Sequence, residues 1–198
     1  MTPILILAAG TSSRMRGGDK MRELVDGIPL LRRQTSVAVA TEHPVFVALA
    51  PDAPNHLDLI ADIDATPLIV ANAAEGISGT LRGAIPKLPQ TWAFMIMLAD
   101  LVALTTQDLL AVLNARTTFP DHLVWRGATS DGLAGHPILI DDTLRPDFAR
   151  LRGDEGGQNI LRPLRDQTHL VTFADQRARL DLDTPEDWTA WRSTFSQK

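Results

Sequence analysis

The chain has 198 residues, of which 44% are hydrophobic; this is sufficient for one sizeable core, and we expect a single domain over residues 1–198. A formal net charge of −5 argues against a nucleic-acid-binding protein, and the absence of cysteine excludes disulfides and thiolate metal sites. Because no apolar run suits a signal peptide or a membrane-spanning helix, we expect a cytoplasmic protein without membrane contact.

Short apolar segments alternate with helical patterns along the chain. Strands are predicted at residues 4–8, 45–50, 67–71, 92–98, 122–126, 137–140 and 169–173. Helices are predicted at residues 29–40, 57–61, 78–88, 105–115, 144–151 and 157–164, and a last helix begins at residues 184–187. This alternation predicts an α/β/α sandwich with a mostly parallel sheet, and the most hydrophobic strand, 92–98, is expected near its centre. Ligands bind such sheets at the carboxyl ends of the strands, so the residues after each strand are the candidate site.

The loop after the first strand is the most informative segment. Residues 10–20 read Gly-Thr-Ser-Ser-Arg-Met-Arg-Gly-Gly-Asp-Lys. Backbone N–H groups of such a loop converge on an anion, and Arg14 and Lys20 would neutralise its charge, which predicts a phosphate-binding loop rather than an ordinary turn. The loop lacks both the Walker A and the dinucleotide-binding patterns. We expect Lys20 to be exposed and to form a local positive island with Arg14, Arg16 and Arg22.

Carboxylates follow two of the predicted extended segments. Asp100 lies two residues after the strand 92–98, where it could hold Mg²⁺ beside a bound phosphate or could simply cap a helix. Asp181 and Asp183 alternate along an extended segment and therefore lie on one side of it, so either could complete a metal site. Alternatively, Asp183 or Thr184 caps the last helix.

Residues 7–15, Leu-Ala-Ala-Gly-Thr-Ser-Ser-Arg-Met, with Lys20 after a glycine pair, resemble the signature of the MobA-like nucleotidyltransferases, most closely the molybdenum cofactor cytidylyltransferase branch. Five more segments resemble the family in the family's order, at residues 75–82, 98–102, 135–139, 153–159 and 181–187. The segment 98–102 departs from the family's Gly-Asp-Met-Pro, because it keeps Asp100 but has Ala, Leu and Val at the other three positions.

The resemblance implies a Rossmann-like fold and Mg²⁺-dependent transfer of a nucleotidyl group from an NTP to a phosphorylated acceptor, with release of pyrophosphate. Ala9 fits the cytidylyl branch, since the guanylyl branch has a glycine there that makes room for a purine. CTP and molybdopterin cofactor are therefore the expected substrates, and a transient contact with a molybdoenzyme or its chaperone is implied. The alternatives are another pair of substrates, including GTP with molybdopterin or a sugar or isoprenoid phosphate acceptor, and a nucleotide-binding module without turnover.

The resemblance also implies residue roles. Arg14 would contact the β- and γ-phosphates, Lys20 the α-phosphate, and Asp100 the metal, so these three are the expected catalytic residues. The residues expected to bind the nucleotide are Ala8, Ala9, Gly10, Thr11, Ser12, Ser13, Ser78, Gly79 and Thr80. The residues expected at the acceptor are Gly135, His136, Gly156 and Gly157, and the expected metal ligands are Asp100 with Asp181 or Asp183. Ser78 could instead be a helix cap, and His136 an ordinary loop histidine.

Overall fold

A computed structural model describes residues 1–153 and 156–195. Its strands are β1 (Ile4–Leu7), β2 (Leu24–Val25), β3 (Ile28–Pro29), β4 (Val45–Leu49), β5 (Thr66–Ile69), β6 (Ala93–Leu98), β7 (Val124–Ala128), β8 (Ala134–Asp141) and β9 (Thr168–Thr172). Its α-helices are α1 (Leu30–Val39), α2 (Pro54–Asp58), α3 (Gly76–Ala84), α4 (Thr106–Thr118), α5 (Arg145–Phe148), α6 (Gln158–Leu161) and α7 (Pro185–Phe195). None of these helices combines the length and the apolar character needed to cross a bilayer.

Seven of the described strands form one sheet in the order β5-β4-β1-β6-β8-β7-β9. Neighbouring strands are parallel except on the two sides of β8, which runs antiparallel to both β6 and β7. This confirms the mostly parallel sheet, and the strand predicted at 92–98 is β6, the fourth of the seven. The strands β2 and β3 form a separate small hairpin, which the sequence analysis did not predict.

Helices cover both faces of the sheet, so the three-layer Rossmann-like α/β/α sandwich is confirmed. Alternate residues of β1 point to opposite faces, with Ile4 and Ile6 in one cluster of buried apolar side chains and Leu5 in the other. The first cluster lies under α1, α4 and α7, and the second lies under α3, α5 and α6. The buried Trp188 anchors α7 in the first cluster.

The element ends agree with the predicted ones to within a few residues, with two informative exceptions. Helix α3 begins at Gly76, so Ser78 lies inside its first turns and is not the cap. The short helix expected at 57–61 begins earlier, at Pro54, because proline suits the first turn of a helix. The capping box of α4 is confirmed: the Thr105 hydroxyl accepts a hydrogen bond from the Asp108 N–H, and the Asp108 carboxylate accepts one from the Thr105 N–H.

Candidate nucleotide and metal site

The loop after β1 has the backbone of an anion-binding loop. Ser12 is left-handed, with φ 50° and ψ 29°, and a short 3₁₀ turn over Ser13–Met15 follows it. The side chain of Met15 is buried and fixes this turn to the core, while Ser13 is exposed on the turn. The backbone N–H groups of Gly10, Thr11 and Ser12 donate to no group among the described residues. These donors are therefore available to a ligand.

A cleft of about 700 Å³ opens beside this loop. Its walls are the carboxyl ends of β1 and β6 and the start of α3, as expected for a parallel sheet. Of the residues expected to bind the nucleotide, Ala9, Gly10, Thr11 and Thr80 line the cleft, and Asp100 lies in the same wall. A Cβ added to Gly10 would meet no atom within 4 Å, so the lack of a side chain there leaves open space in the cleft.

Three other residues expected to bind the nucleotide make contacts within the protein that account for the residue type at each position. Ala8 packs into the cluster on the opposite face of the sheet. The Ser78 hydroxyl is buried and accepts a hydrogen bond from the Gly156 N–H, at 3.1 Å. A Cβ on Gly79 would lie 2.1 Å from the carbonyl oxygen of Asn72, so glycine is required there for backbone packing rather than for close approach of a base.

Lys20 lies at the centre of the charged part of the site. Its Nζ is 2.8 Å from Asp100 Oδ2 and 2.5 Å from Asp183 Oδ1, and Arg14 reaches the other oxygen of Asp183 at 2.5 Å. The expectation that Lys20 is exposed is wrong, because only 7% of the residue is accessible and the two ion pairs compensate its burial. Burial works to lower the pKa of Lys20, but the two carboxylates outweigh it and the pKa is raised.

Two carboxylates contact this lysine, and a third, that of Asp181, lies close to both of them. An isolated antiparallel bridge between Leu101 and Asp181 brings the two acidic segments together, close enough for the charges of Asp183 and Asp100 to act on Asp181. Partial burial, followed by the charges of Asp183 and Asp100, raises the pKa of Asp181. Burial acts in the same direction on Asp183, but Lys20 and Arg14 overcome it and lower the pKa of Asp183. Asp181 thus lies among like charges and forms no ion pair with the cations that the structure describes.

The arrangement of these carboxylates fits a hard cation. Asp100 Oδ1 is buried and accepts no hydrogen bond, which leaves a strong acceptor unused in the wall of the cleft. Within the described ranges no three metal-binding side chains are already grouped closely enough to hold an ion, and the ammonium of Lys20 contacts both Asp100 and Asp183. Oxygen donors with excess negative charge are the ligands that Mg²⁺ and similar ions prefer.

The alternative in which Asp100 caps a helix does not hold, since Thr105 caps α4. The departures from the family pattern around Asp100 are accommodated in the core, where Ala99, Leu101 and Val102 are buried. The Val102 carbonyl accepts hydrogen bonds from Arg33, at 2.7 Å, and from Gln34. The altered segment is therefore held firmly in place.

The positive island expected in the loop is largely neutralised. Arg14 and Lys20 pair with Asp183, and Arg16 pairs with Glu186 at 2.8 Å. Of these acidic partners, Asp183 precedes α7 and Glu186 lies in the first turn of α7. That turn has its own capping box, in which the Thr184 hydroxyl accepts from the Asp187 N–H and the Asp187 carboxylate accepts from the Thr184 N–H. Thr184, and not Asp183, therefore caps the last helix.

A second groove, of about 970 Å³, continues from the cleft, and Leu7, Ile77 and Leu98 line both. Of the residues expected at the acceptor, His136, Gly156 and Gly157 line this groove. Gly135 does not line the groove. A glycine is required at this position because a Cβ would lie 2.2 Å from the Ala178 carbonyl oxygen. Asp154 and Glu155, which belong to the same sequence segment as Gly156 and Gly157, lie outside the described residues.

His136 is neutral at physiological pH. Its Nδ1 lies 3.4 Å from the Ile96 carbonyl oxygen. Burial and the nearby charge of Arg126 lower its pKa to about 4. A histidine with this pKa does not supply a proton near pH 7, so it serves as a hydrogen-bonding group in the wall of the groove.

Sequence reasoning missed the arginines of this groove, Arg126, Arg162, Arg165 and Arg179. One signal was present. Arg126 interrupts the otherwise apolar or small residues of β7, Val-Trp-Arg-Gly-Ala, and a lone charge within a buried strand marks a functional position more often than a surface charge does. The other three arginines lie in polar stretches and give no such signal.

Comparison with known proteins identifies the family. The family model of the MobA-like NTP transferase domain matches residues 4–170. The chain belongs to this family. A MobA-like NTP transferase domain is a nucleotidyltransferase domain, so the reaction class expected from the N-terminal loop is confirmed. A search of curated protein sequences finds no significant match.

Solved structures similar to this MobA-like NTP transferase show the same fold. The homologue of Mycobacterium tuberculosis Rv0371c from Mycobacterium sp. strain JC1 is 21% identical over 99% of this chain and 97% of its own, with a TM-score of 0.84. Rv0371c from M. tuberculosis H37Rv in complex with manganese is 21% identical over 96% of each chain, with a TM-score of 0.78. A nucleotidyl transferase from Methanothermobacter, Mth528, is 16% identical over 100% of this chain and 98% of its own, with a TM-score of 0.81.

Proposed function

We propose that this MobA-like NTP transferase transfers CMP from CTP to the phosphate of molybdopterin cofactor and releases pyrophosphate. The observation that supports this best is the pairing of Lys20 with Asp100 and Asp183, with Asp181 beside these two carboxylates, at the end of the loop after β1. Nucleotidyl transfer needs cations at the α-phosphate and at the leaving pyrophosphate, and this cluster holds both a lysine and unused carboxylate oxygens beside the loop.

Mg²⁺ is the proposed metal, and Asp100 with Asp183 or Asp181 would hold it. The unpaired, buried Asp100 Oδ1 and the cation-free Asp181 are the observations that fit it. The manganese complex of the similar protein Rv0371c supports a divalent ion here. When bound, such an ion supplies charge neutralisation to the triphosphate.

The residues of the chain would act mainly by alignment. The N–H groups of Gly10, Thr11 and Ser12 would hold the triphosphate, and Arg14 would contact the leaving β- and γ-phosphates. Lys20 would give up its ion pair with one of its two carboxylates and contact the α-phosphate instead. An oxygen of the acceptor phosphate then forms a bond to the α-phosphorus while the bond to pyrophosphate breaks. That oxygen is already ionised at pH 7, so no general base is needed, in keeping with the neutral His136.

Pyrophosphate release tests this proposal. The purified chain is incubated with CTP, Mg²⁺ and molybdopterin cofactor, and pyrophosphate is measured against reactions that lack the acceptor. Release that depends on both acceptor and metal supports the proposal. CTP binding without release, with this acceptor and with sugar and isoprenoid phosphates, would mean a binding module; release only with another acceptor would reassign the substrate.

The choice of CTP is tested at Ala9. This residue is buried and lines the cleft, at the position where the guanylyl branch has a glycine. We expect CTP to support faster release than GTP, because the methyl group takes up room that a purine needs. Ala9→Gly should narrow the difference between CTP and GTP. If the wild type uses GTP as fast as CTP, the assignment to the cytidylyl branch is wrong.

A further inference from the structure

Hydrogen bonds fix the backbone that carries Lys20. This lysine begins a short 3₁₀ turn, Lys20–Arg22, and its own N–H donates to the Ser12 hydroxyl at 3.3 Å. The next N–H, that of Met21, donates to Asp19 Oδ1 at 3.0 Å, and the side chain of Met21 is buried. Asp19 is therefore the cap of this turn. Its position determines where the lysine side chain leaves the backbone.

A histidine from a distant part of the sequence holds this cap. His56 lies on α2, and its Nε2 is 2.8 Å from Asp19 Oδ2. The two oxygens of the Asp19 carboxylate thus have different partners, since one accepts from the turn and the other contacts α2. Only 6% of His56 is accessible, whereas 36% of the Asp19 side chain is. The imidazole is therefore the fixed partner, and the carboxylate is the group that it holds.

Packing alone does not account for a histidine at position 56. The Nδ1 atom of His56 is buried and has no hydrogen-bond partner among the described residues. A buried polar atom without a partner costs stability, and a leucine, which is similar in size, would avoid that cost. The hydrogen bond described for the ring is the one to Asp19. This contact therefore explains the residue type.

We propose that His56 is a positioning residue for Lys20. It holds the Asp19 cap and, through the cap, the turn that directs the lysine towards Asp100 and Asp183. His56 is not among the residues that line the cleft, so it acts through Asp19 and touches no substrate. The inference rests on the proposed function for what Lys20 does in transfer, whereas the link from His56 to Lys20 follows from the contacts alone.

The fixed backbone has a consequence for the reaction. In the proposed function, the ammonium of Lys20 exchanges one carboxylate for the α-phosphate. With the turn held at its cap, this exchange requires movement of the lysine side chain only, and the loop keeps its shape. Loss of the His56 contact should therefore impair transfer more than CTP binding, because the backbone N–H groups of Gly10, Thr11 and Ser12 remain in place.

Trace acetylation tests the position of Lys20 without any substrate. The protein is treated with a small amount of acetic anhydride, and mass spectrometry gives the ratio of acetylation at Lys20 to that at the exposed Lys87. His56→Leu removes the imidazole N–H but keeps a side chain of similar size. His56→Gln keeps an N–H donor on a side chain of similar length. Pyrophosphate release is measured on the same proteins.

His43→Leu is the matched control. The Nδ1 atom of His43 accepts a hydrogen bond from the Thr2 N–H at 2.9 Å, just before β1 begins. The loss of this bond removes a histidine contact at the end of β1 opposite to the loop. It therefore reports what general loosening of the chain does to the acetylation of Lys20.

We expect the acetylation ratio to rise about tenfold or more in His56→Leu, the change typical of one lost hydrogen bond to a charged group. The ratio should stay near that of the wild type in His43→Leu and return most of the way in His56→Gln. In pyrophosphate release, kcat should fall about tenfold in His56→Leu while the KM for CTP changes little. The double variant His56→Leu with Asp19→Ala should behave like Asp19→Ala alone, because His56 acts through Asp19.

An unchanged ratio in His56→Leu would overturn the inference, as would an equal rise in His43→Leu or effects of His56→Leu and Asp19→Ala that simply add. If His56→Leu does not fold, Asp19→Ala replaces it, and an unchanged ratio in that variant overturns the inference in the same way. A raised ratio in a chain that releases no pyrophosphate removes the transfer reaction and keeps the positioning of Lys20. Release with an unchanged ratio removes only the positioning.

Discussion

Lys20 determines the charge balance of the site. Its ammonium is shared between Asp100 and Asp183, and Arg14 contacts the other oxygen of Asp183. A divalent ion bound by the same carboxylates would take over this neutralising role and free the lysine for a phosphate. The ammonium thus occupies, without ligands, the region where the proposed metal and the α-phosphate would meet.

Replacing Lys20 by methionine should expose the repulsion among the carboxylates. We expect the free energy of unfolding to fall by about 1–3 kcal/mol, less than for a fully buried pair because Asp100 and Asp183 are partly accessible. Mn²⁺ should stabilise Lys20→Met more than the wild type, since the ion replaces a missing charge, and pyrophosphate release should be lost. Urea unfolding with EDTA or with Mn²⁺ measures this, with the exposed Lys87→Met as control. If Mn²⁺ stabilises Lys20→Met no more than the wild type, the proposed exchange of the lysine for a divalent ion is wrong.

Asp100→Asn should separate metal binding from nucleotide binding. The change keeps the size of the side chain but removes a charge from an oxygen-ligand site, so turnover should fall by about 100-fold or more while CTP binding falls much less. Pyrophosphate release measured against Mg²⁺ concentration gives the answer. Asp147→Asn is the control, because Asp147 is an exposed aspartate that does not line the cleft. Superimposable Mg²⁺ curves for wild type and Asp100→Asn would make Asp100 a structural residue.

His136 should make stability depend on pH. Its pKa is about 4 in the folded chain, against 6.5 when unperturbed, so the unfolded chain binds a proton in a range where the folded chain does not. The stabilisation is complete above pH 6.5 and is lost as the pH falls towards 4, by about 1–3 kcal/mol for a half-buried group. His136→Gln should therefore lose less stability than the wild type between pH 7 and pH 4.5, measured by urea unfolding. Parallel curves for the two proteins would refute the prediction.

At the scale of elements, two positions near the cleft have glycine for different structural reasons. Gly79 on α3 faces the Asn72 carbonyl at a distance that no Cβ tolerates, whereas a Cβ on Gly10 meets nothing within 4 Å. The first glycine allows α3 to pack against the 3₁₀ turn before it. The second leaves open the space beside the unpaired N–H groups of the loop.

The same substitution at these two glycines should thus give opposite results. Gly79→Ala should lower the free energy of unfolding by about 1–3 kcal/mol or more through overpacking, with nucleotide affinity retained in the protein that folds. Gly10→Ala should leave stability nearly unchanged and weaken CTP binding. Thermal unfolding and calorimetric CTP titration distinguish the two effects. A stable Gly79→Ala, or a Gly10→Ala that binds CTP like the wild type, would show that the glycine concerned has been misassigned.

Local signals were sufficient to predict nearly all the elements. These signals involve only residues that are close in the sequence. Examples are the capping residues Thr105 and Thr184, the apolar run of β6 and the loop after β1. Contacts over long separations were not predictable. Lys20 is buried because its partners lie 80 and 163 residues away, which no periodicity in the sequence reveals. The small hairpin β2–β3 was missed since its strands have two residues each.

At the scale of the whole molecule, the sheet separates two tasks. The parallel strands β1 and β6 end at the cleft, while the reversed β8 extends the sheet past β6 and forms the groove with β7 and β9. Strand direction cannot be derived from apolar periodicity, but residues 129–132, Thr-Ser-Asp-Gly, between two apolar runs are a hairpin signal that would have predicted the reversal. Arg126 and His136 owe their common face to that hairpin register, in which Arg126 pairs with Ile138.

The bridge between Leu101 and Asp181 also has a consequence for the order of events during synthesis. The strands β1, β4, β5 and β6 and the N-terminal loop leave the ribosome long before residue 181, so the nucleotide half can assemble while Lys20 still lacks Asp183. The loop and Asp100 are therefore in place before the segment that precedes α7 reaches them. Under the proposed function, nucleotidyl transfer becomes possible only after that segment docks on Lys20.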